Sequence, residues 1–525
     1  MTTPATPDDP DAGRIATADR STHADDAPAH ATPAHVRPAP GAHEGTPSNH
    51  RWWILVTACL AQLMVVLDAT VVNIALPTAQ ADLGFSDDSR QWIVTGYALA
   101  FGSLLLVGGR LGDLIGRKVA FLIGLVGFAG ASAIGGAATS LEMLVAARVG
   151  QGVFAALLAP AALSLLTTTF TDPHERGRAF AVYGALSGAG GAIGLILGGA
   201  LTEYTSWRWC LFINVPIAVV AVAMGLWLLG RNRPDREVTI DIPGALLSVS
   251  GLVCLVYGLS KAETDGWTAG ITLGFIGAGL LLVAIFTFVE TRVSDPLLPL
   301  SVLTDRNRGG AFVSLLLVGG GMFGVFLFLT YYLSVVQGFD PLPTGLAFLP
   351  MIAGIAVSSQ IAPRFVESIG AKLPIGIGFL VAAAGMWSLT LLDLDSSYAT
   401  HVVPSIAVLG LGLGFVLPPS ISAATDGVDA HHAGVASAAV NTFQQIGGSI
   451  GTAILSAAAA SAGDDYLASH DPSNPLTQVR AALESYEAAF WWSAGLLALG
   501  GIWALIVLRH GAITRDPDAP IVVAH

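Results

Sequence analysis

The sequence predicts an all-α polytopic membrane protein with about fourteen transmembrane helices. Its 525 residues are 53% hydrophobic and only 12% charged, whereas soluble proteins carry roughly a quarter charged residues. The mean hydropathy is +0.67, and the 61 glycines suit helices that approach one another closely in a bilayer. Together these observations indicate that lipid is the main solvent of the chain.

The number of spans follows from the lengths of the apolar segments. A helix needs about 20 predominantly apolar residues to cross the hydrocarbon core. Twelve spans, with one pair misassigned, is the alternative to fourteen. The predicted spans are 52–77, 92–110, 119–138, 143–169, 179–202, 210–229, 243–260, 269–289, 311–336, 343–362, 373–392, 402–423, 434–461 and 488–508.

The distribution of basic residues supports an even number of spans. With the N-terminus in the cytoplasm, nineteen of the 24 Lys and Arg residues fall in cytoplasmic segments and four in outer loops. The remaining one, Arg148, lies within a span. Because cytoplasmic loops carry the excess of Lys and Arg in membrane proteins, both termini are predicted to be cytoplasmic.

The spans group as six, two and six. Each six-span set has a short cytoplasmic loop, 109–118 or 363–372, that contains a basic residue, an acid, glycine and lysine. Repeated halves around a central binding site are the usual plan of secondary transporters. The predicted divisions are a disordered cytoplasmic tail at 1–50, a six-helix bundle at 51–230, an inserted helix pair with cytoplasmic linkers at 231–310, a second six-helix bundle at 311–510 and a cytoplasmic tail at 511–525.

Several function classes are disfavoured by the sequence. The net charge of −13 argues against a nucleic-acid partner, and no P-loop, H-E-x-x-H or G-x-S-x-G motif supports an enzyme. The N-terminal tail has no apolar segment typical of a signal peptide. No metal site is expected, because the three cysteines are widely spaced in apolar runs and the tail histidines are scattered and solvated. These residues are Cys59, Cys210, Cys254, His23, His30, His35, His43 and His50.

Two charged residues lie in the interior of predicted spans, Asp68 and Arg148. A carboxylate in the membrane is costly unless it pairs, meets water or takes a proton, and burial favours its neutral form. Asp68 is therefore predicted to carry a proton, with Arg148 as its partner. The alternatives are a permanently charged structural carboxyl and an arginine that reaches for water at the end of its span.

The fifth span contains a glycine stripe. Gly190, Gly194 and Gly198 recur every four residues and share one face of the helix, and Gly199 follows. Such stripes allow helix backbones to touch. Tight packing and a sliding contact between the two halves are both compatible with this pattern.

These motifs resemble the major facilitator superfamily, and specifically its fourteen-helix drug:proton antiporter family, over most of residues 51–510. The resemblance implies two six-helix bundles with an inserted two-helix hairpin. The segments that carry it are Leu67 to Pro77, Trp92 and Tyr97, Gly109 to Lys118, Arg148 to Pro160, Ser206 to Pro216, and Asn441, Gln444 and Gly447 to Gly451.

The resemblance also implies residue roles. Asp68 and Arg148 would serve proton coupling, and Asp113 with Arg117 would form a cytoplasmic latch between the halves. The fifth-helix glycines would form the antiporter motif, although Leu195 stands where that motif carries proline. The residues assigned to conformational change are Gly109, Gly112, Asp113, Gly116, Arg117, Lys118, Gly190, Gly194, Gly198 and Gly199.

The predicted function is export of amphipathic drugs or antibiotics, driven by protons, through a monomer in a bacterial cytoplasmic membrane. The proton is the coupling ion, and no cofactor is expected. A dedicated lipid or metabolite exporter of the same fold is the main alternative; proton symport and a non-transporting sensor are others. Aromatic and amide side chains suit promiscuous binding, and the candidate cavity residues are Asn73, Tyr97, Gln151, Phe326, Tyr331, Asn441, Phe443 and Gln444.

Overall fold

The computed structural model describes residues 48–170, 172–230, 241–293, 296–428, 433–471 and 473–509, and all regular structure within these ranges is helical. Nearly all of both predicted tails, the linker 231–240 and the tail histidines before His50 lie outside the described residues. The first half comprises α1 (Ser48–Leu83), α2 (Asp87–Ile115), α3 (Arg117–Gly136), α4 (Leu141–Thr169), α5 (Pro173–Tyr204), α6 (Trp209–Phe212) and α7 (Asn214–Leu228).

The inserted hairpin and the second half follow in chain order. The hairpin consists of α8 (Ile242–Asp265) and α9 (Gly270–Glu290), which pack against each other. The second half comprises α10 (Leu300–Thr304), α11 (Arg306–Tyr331) with a π-helical turn at Tyr332–Val336, α12 (Pro341–Leu346), α13 (Leu349–Ile369), α14 (Lys372–Leu389), a π-helical turn at Tyr398–Val402, α15 (Val403–Thr425), α16 (Ala433–Ser469) and α17 (Pro475–Val507).

The fold class predicted from the sequence is confirmed. Within the described ranges, thirteen helical segments are long and apolar enough to cross a membrane. The predicted span 179–202 lies in α5, where several side chains are outside the described set. Each of the fourteen predicted spans thus coincides with a helix or with a pair of consecutive helices.

Some boundaries differ from the prediction. The span predicted at 210–229 is divided between α6 and α7, because Pro216 has no N–H to donate to the carbonyl of Phe212. Helix α17 begins at Pro475 rather than near residue 488. Hydropathy detects only the apolar part of a helix, whereas backbone hydrogen bonding continues through its polar turns.

The equivalent loops of the two halves turn in the same way. Gly116, between α2 and α3, has a φ of 91°, and Gly370, between α13 and α14, has a φ of 82°. Residues with a Cβ atom are strained at these angles, whereas glycine is not. The shared backbone conformation supports the internal repeat inferred from the sequence.

The two halves contact each other along two lines. Helix α2 packs against α16, and α5 packs against α12. We call the end of the bundle where α1 ends and α2 begins the outer end, and the opposite end the inner end. The α5–α12 contact lies at the outer end, where a Cβ on Gly199 would lie 2.6 Å from the Cα atom of Leu342.

Candidate functional site

A buried network of polar side chains surrounds Asp68 inside the first half. Asp68 on α1 and Arg148 on α4 have exposed fractions of 0% and 2%. Nη1 of Arg148 donates to Oδ2 of Asp68, forming an ion pair. The other carboxylate oxygen, Oδ1, accepts from Nε2 of Gln151 at 2.7 Å and from Nδ2 of Asn214 at 2.8 Å. The carboxylate therefore has a donor on both of its oxygens.

The guanidinium of Arg148 has further partners. Its Nη1 donates to Oε1 of Gln151 at 2.8 Å, and its Nε donates to the carbonyl of Ile93 at 3.1 Å. The guanidinium carbon lies 4.3 Å from the centre of the Tyr97 ring, an arrangement in which the ring stabilises the cation. Ser132 on α3 accepts from Gln151 at 2.7 Å and from Asn214 at 3.3 Å.

Helix geometry brings these side chains together. Arg148 and Gln151 are three residues apart on α4 and therefore share a face of that helix. Asn214 is the first residue of α7, so the interruption of the helix at Ile213 sets where its amide lies. The resulting network joins α1, α2, α3, α4 and α7.

Hydrogen bonds from neutral groups stabilise the buried ion pair. A buried ion pair is stable only when geometry and additional hydrogen bonds offset the loss of hydration, and here amide and carbonyl groups supply those bonds. A neutral carboxyl would lose most of its attraction for Arg148, yet the guanidinium would keep Gln151, Ile93 and the Tyr97 ring. The guanidinium therefore has partners that do not depend on the charge of Asp68.

The structure corrects part of the sequence interpretation. Arg148 does not reach for water, because it is buried against Asp68. Tyr97 and Gln151, predicted to line a substrate cavity, contact Arg148 and Asp68 in the ion-pair network, and their contact with substrate stays a prediction. Sequence reasoning did not identify Asn214 or Ser132 as members of the network. Asn214 lies in the motif segment Ser206 to Pro216, whereas nothing in the sequence around Ser132 distinguishes it.

Among the described residues of the predicted gating loop, the glycines and Lys118 contact the first half, whereas Arg110 donates to the carbonyl of Pro296 in the linker before the second half. Cβ atoms added to Gly109 and Gly112 would lie 3.7 Å and 3.6 Å from Cβ of Pro160 and Ala120. Nζ of Lys118 donates to the carbonyls of Leu226 and Leu229 at the end of α7. Among the remaining loop residues, Gly116 forms the turn, Arg117 is half-buried, and the side chain of Asp113 lies outside the described residues. The latch between Asp113 and Arg117 stays a prediction.

The glycine stripe contacts α1 rather than the second half. Cβ atoms on Gly190, Gly194 and Gly198 would meet Val66, Thr70 and Val71 at 3.0, 1.9 and 2.9 Å. A four-residue spacing keeps these glycines on one face, and that face lies against α1. In this conformation these three glycines serve tight packing against α1, and their contact with the second half stays a prediction. The expected interface role applies to Gly199, which lies against α12.

We predict that Gly198→Ala destabilises the first half. The added methyl group would lie 2.9 Å from Cγ2 and 3.0 Å from the carbonyl oxygen of Val71, so α1 and α5 must separate. Overpacking of this kind costs about 1–3 kcal/mol, which a lower thermal inactivation temperature in detergent would reveal. Gly191→Ala is the matched control, since nothing lies within 4 Å of its added Cβ; equal stabilities of the two variants would contradict the prediction.

The predicted cavity residues occupy three environments. Phe326 packs on Phe348 with ring centres 5.5 Å apart, and Asn73 bonds the carbonyl of Ala69 in its own helix. Tyr331 lies at the contact between the halves. The remaining three are half-buried side chains on α16: Asn441, Phe443 and Gln444.

Tyr331 joins the two halves at the outer end. Its hydroxyl donates to Oε1 of Gln80 on α1 at 2.5 Å, and the guanidinium carbon of Arg90 on α2 lies 4.1 Å from its ring centre. Nearby, the backbone N–H of Leu342 donates to Glu203 on α5 at 3.0 Å. These contacts close the outer end in this conformation.

We predict that Tyr331→Phe loosens the outer end. Loss of one hydrogen bond costs about 1 kcal/mol, or roughly fivefold in the ratio of closed to open molecules. Distances between spin labels at the exposed positions Tyr204 and Val335 would lengthen in a larger fraction of molecules. Tyr332→Phe is the control, because that hydroxyl bonds Asp393 within the second half. If both variants change the distances equally, the Tyr331 contact is not the closing element.

Comparison with known proteins identifies the family. Residues 58–452 match the family described as the Major Facilitator Superfamily. The chain belongs to the major facilitator superfamily. This major facilitator is 48% identical to the puromycin resistance protein pur8 of Streptomyces alboniger over 484 residues, which cover 91% of this chain and 96% of the relative. It is 39% identical to the cephamycin export protein CmcT of Amycolatopsis lactamdurans over 405 residues, covering 76% and 83%.

Solved structures give the same fold. A bacterial homologue of the human lysosomal transporter Spinster, in an inward-facing unoccupied conformation, superposes with a TM-score of 0.60 and 15% sequence identity. The match covers 88% of this chain and 98% of that one. The superfamily predicted from the motifs is confirmed, and the Streptomyces and Amycolatopsis relatives are named as resistance and export proteins.

Proposed function

We propose that this major facilitator exports amphipathic antibiotics across the bacterial cytoplasmic membrane in exchange for protons, by alternating access. The observation that carries the proposal is the buried Asp68–Arg148 pair, whose carboxylate is the group that protons would occupy. The names of the relatives, which refer to puromycin and cephamycin, support an antibiotic as the substrate.

The proposed cycle begins with Asp68 ionised and bound to Arg148. A proton arriving from the outside neutralises the carboxyl and weakens its electrostatic attraction for the guanidinium. The amide of Asn214 can then turn and accept the new O–H, because its Oδ1 is buried without a hydrogen-bond partner among the described residues. Loss of the proton to the cytoplasm restores the ion pair. Each cycle therefore couples protonation of Asp68 to a change in the packing around Asp68 and Arg148.

The proposed substrate contacts are uncharged. Asn441, Phe443 and Gln444 on α16 are half-buried and offer two amides and one aromatic ring, and the Phe443 ring lies 5.1 Å from that of Phe312. Apolar surfaces with a few polar groups accommodate amphipathic molecules of different shapes. The charged groups of Asp68 and Arg148 bind each other, and we propose that Asp68 carries protons and that neither residue binds substrate.

The proposal is tested with purified protein in liposomes whose interior is acidic. Transporters whose cytoplasmic face lies on the outside of the liposome should carry puromycin into the lumen. A protonophore should abolish this accumulation. Puromycin transport at the same rate with and without the proton gradient would refute proton coupling. If neither puromycin nor a cephamycin moves while a lipid or metabolite does, the chain is a dedicated exporter of that compound instead.

A further inference from the structure

Two buried carboxyl groups meet at the inner end of the inserted hairpin, away from the Asp68 network. Asp241 immediately precedes α8, and Glu290 is the last residue of α9. Their exposed fractions are 6% and 4%. Isolated buried carboxylates are strongly unfavourable, and such groups are normally paired or neutral.

Each carboxyl has one satisfied and one unsatisfied oxygen. Oδ1 of Asp241 accepts from the backbone N–H of Gly244 at 2.9 Å, and Oε2 of Glu290 accepts from that of Leu298 at 3.0 Å. The remaining oxygens, Oδ2 of Asp241 and Oε1 of Glu290, are buried with no hydrogen-bond partner. Both point to the same place, 2.1 Å and 2.9 Å from where a Cβ on Gly244 would lie.

A single proton shared by the two carboxyl groups would remove both their charge repulsion and the unsatisfied oxygens. Two carboxylates that share a buried site cannot both be ionised, because like charges repel strongly there. One O–H···O hydrogen bond would satisfy both remaining oxygens. Asp241 caps the positive N-terminal end of α8, which favours its ionised form, whereas Glu290 lies at the negative C-terminal end of α9, which favours its neutral form. The helix ends therefore place the proton on Glu290.

The charged groups on the surrounding elements are engaged elsewhere. Arg110 of α2 donates to the carbonyl of Pro296 at 2.9 Å, and Arg292 lies over the ring of Phe288. Arg308 of α11 donates to four carbonyls, those of Ser301, Val302, Asp426 and Gly427. Within the described ranges, no Lys or Arg forms an ion pair with either carboxyl.

We propose that Asp241 and Glu290 form a second proton-binding site, in which Oε1 of Glu290 donates a shared proton to Oδ2 of Asp241. The site clamps the linker between the hairpin and the second half. Glu290 holds Leu298, whose side chain packs in the apolar cluster around Phe312 in the second half. Two residues earlier, Pro296 is held by Arg110 of the first half. The proton thus stabilises a segment that contacts both halves at the inner end.

Infrared spectroscopy tests the shared proton independently of transport. In an Asp68→Asn parent, a protonated-carboxyl band is expected at neutral pH, and adding Glu290→Gln should remove it. Glu175→Gln is the matched control, since Glu175 is a partly exposed acid paired with Arg51 at the same end; it should leave the band unchanged. A parent without the band, or a band that survives Glu290→Gln, overturns the proposal.

Two further measurements complete the test. If Glu290→Gln does not fold, Asp241→Asn replaces the charged acceptor by a weaker amide oxygen and should shift the band to higher frequency; an unshifted band overturns the pairing. For the clamp, exchange of the backbone amides of Leu297 and Leu298, which lie between two prolines, should be faster at alkaline pH in the parent than in Glu290→Gln. The reason is that glutamine still donates to Asp241 when the proton has left. Equal exchange in the two proteins would refute the clamp.

Discussion

Asp68→Asn is expected to reduce proton-driven export to the level of empty liposomes while leaving the protein folded. Asparagine has nearly the same shape as aspartate and can still bond Gln151 and Asn214, but it cannot bind and release a proton. Arg148 keeps the carbonyl of Ile93 and Oε1 of Gln151 as acceptors, so no cation is left without a partner. Puromycin transport under an imposed proton gradient, together with puromycin binding in detergent, measures the effect.

A second acid on the same helix provides the control for that experiment. Asp82 lies near the end of α1, with a side chain that is 46% exposed, and it accepts from Trp207 and Arg208. Exposed ion pairs contribute little free energy, so Asp82→Asn should transport nearly as well as wild type. If Asp68→Asn retains full gradient-driven export, Asp68 is a structural carboxyl and coupling lies elsewhere.

Arg148→Leu is expected to destabilise the first half by about 3–5 kcal/mol, because removal of one partner leaves the buried charge of Asp68 uncompensated. Asp68 is completely buried, and Gln151 and Asn214 alone would have to stabilise its charge. Thermal inactivation in detergent, followed by the loss of monodisperse protein, measures the change.

The double variant Asp68→Asn/Arg148→Leu separates charge from packing. Removing both charges should restore most of the stability that Arg148→Leu loses, while export stays absent. A double variant that is as unstable as Arg148→Leu would show that the arginine acts through its packing on Tyr97 rather than through the ion pair. The interaction free energy of the cycle is meaningful here because the two residues are in direct contact.

The sequence was sufficient to predict the helices and the central ion pair. Membrane spans are recognisable because burial in lipid requires a long run of apolar residues, which is a property of consecutive positions. Asp68 and Arg148 were identifiable for the same reason, since a charge within such a run is rare and needs a partner. Both features can be recognised from the residue types within a short segment of the sequence.

Other features were decided only by the tertiary structure. Ser132 and Asn214 complete the Asp68 site because of how α3 and α7 are rotated against α1, and rotation is not encoded in hydropathy. Packing likewise turned the glycine stripe toward α1, so that of the four fifth-helix glycines assigned to conformational change Gly199 is the one against α12. In the sequence, Asp241 and Glu290 are ordinary acidic residues near the ends of predicted helices. They lie close together only because antiparallel packing of α8 and α9 brings those helix ends together. Apolar length is recorded along the chain, whereas hydrogen-bond partners are set by the relative orientation of helices distant in sequence.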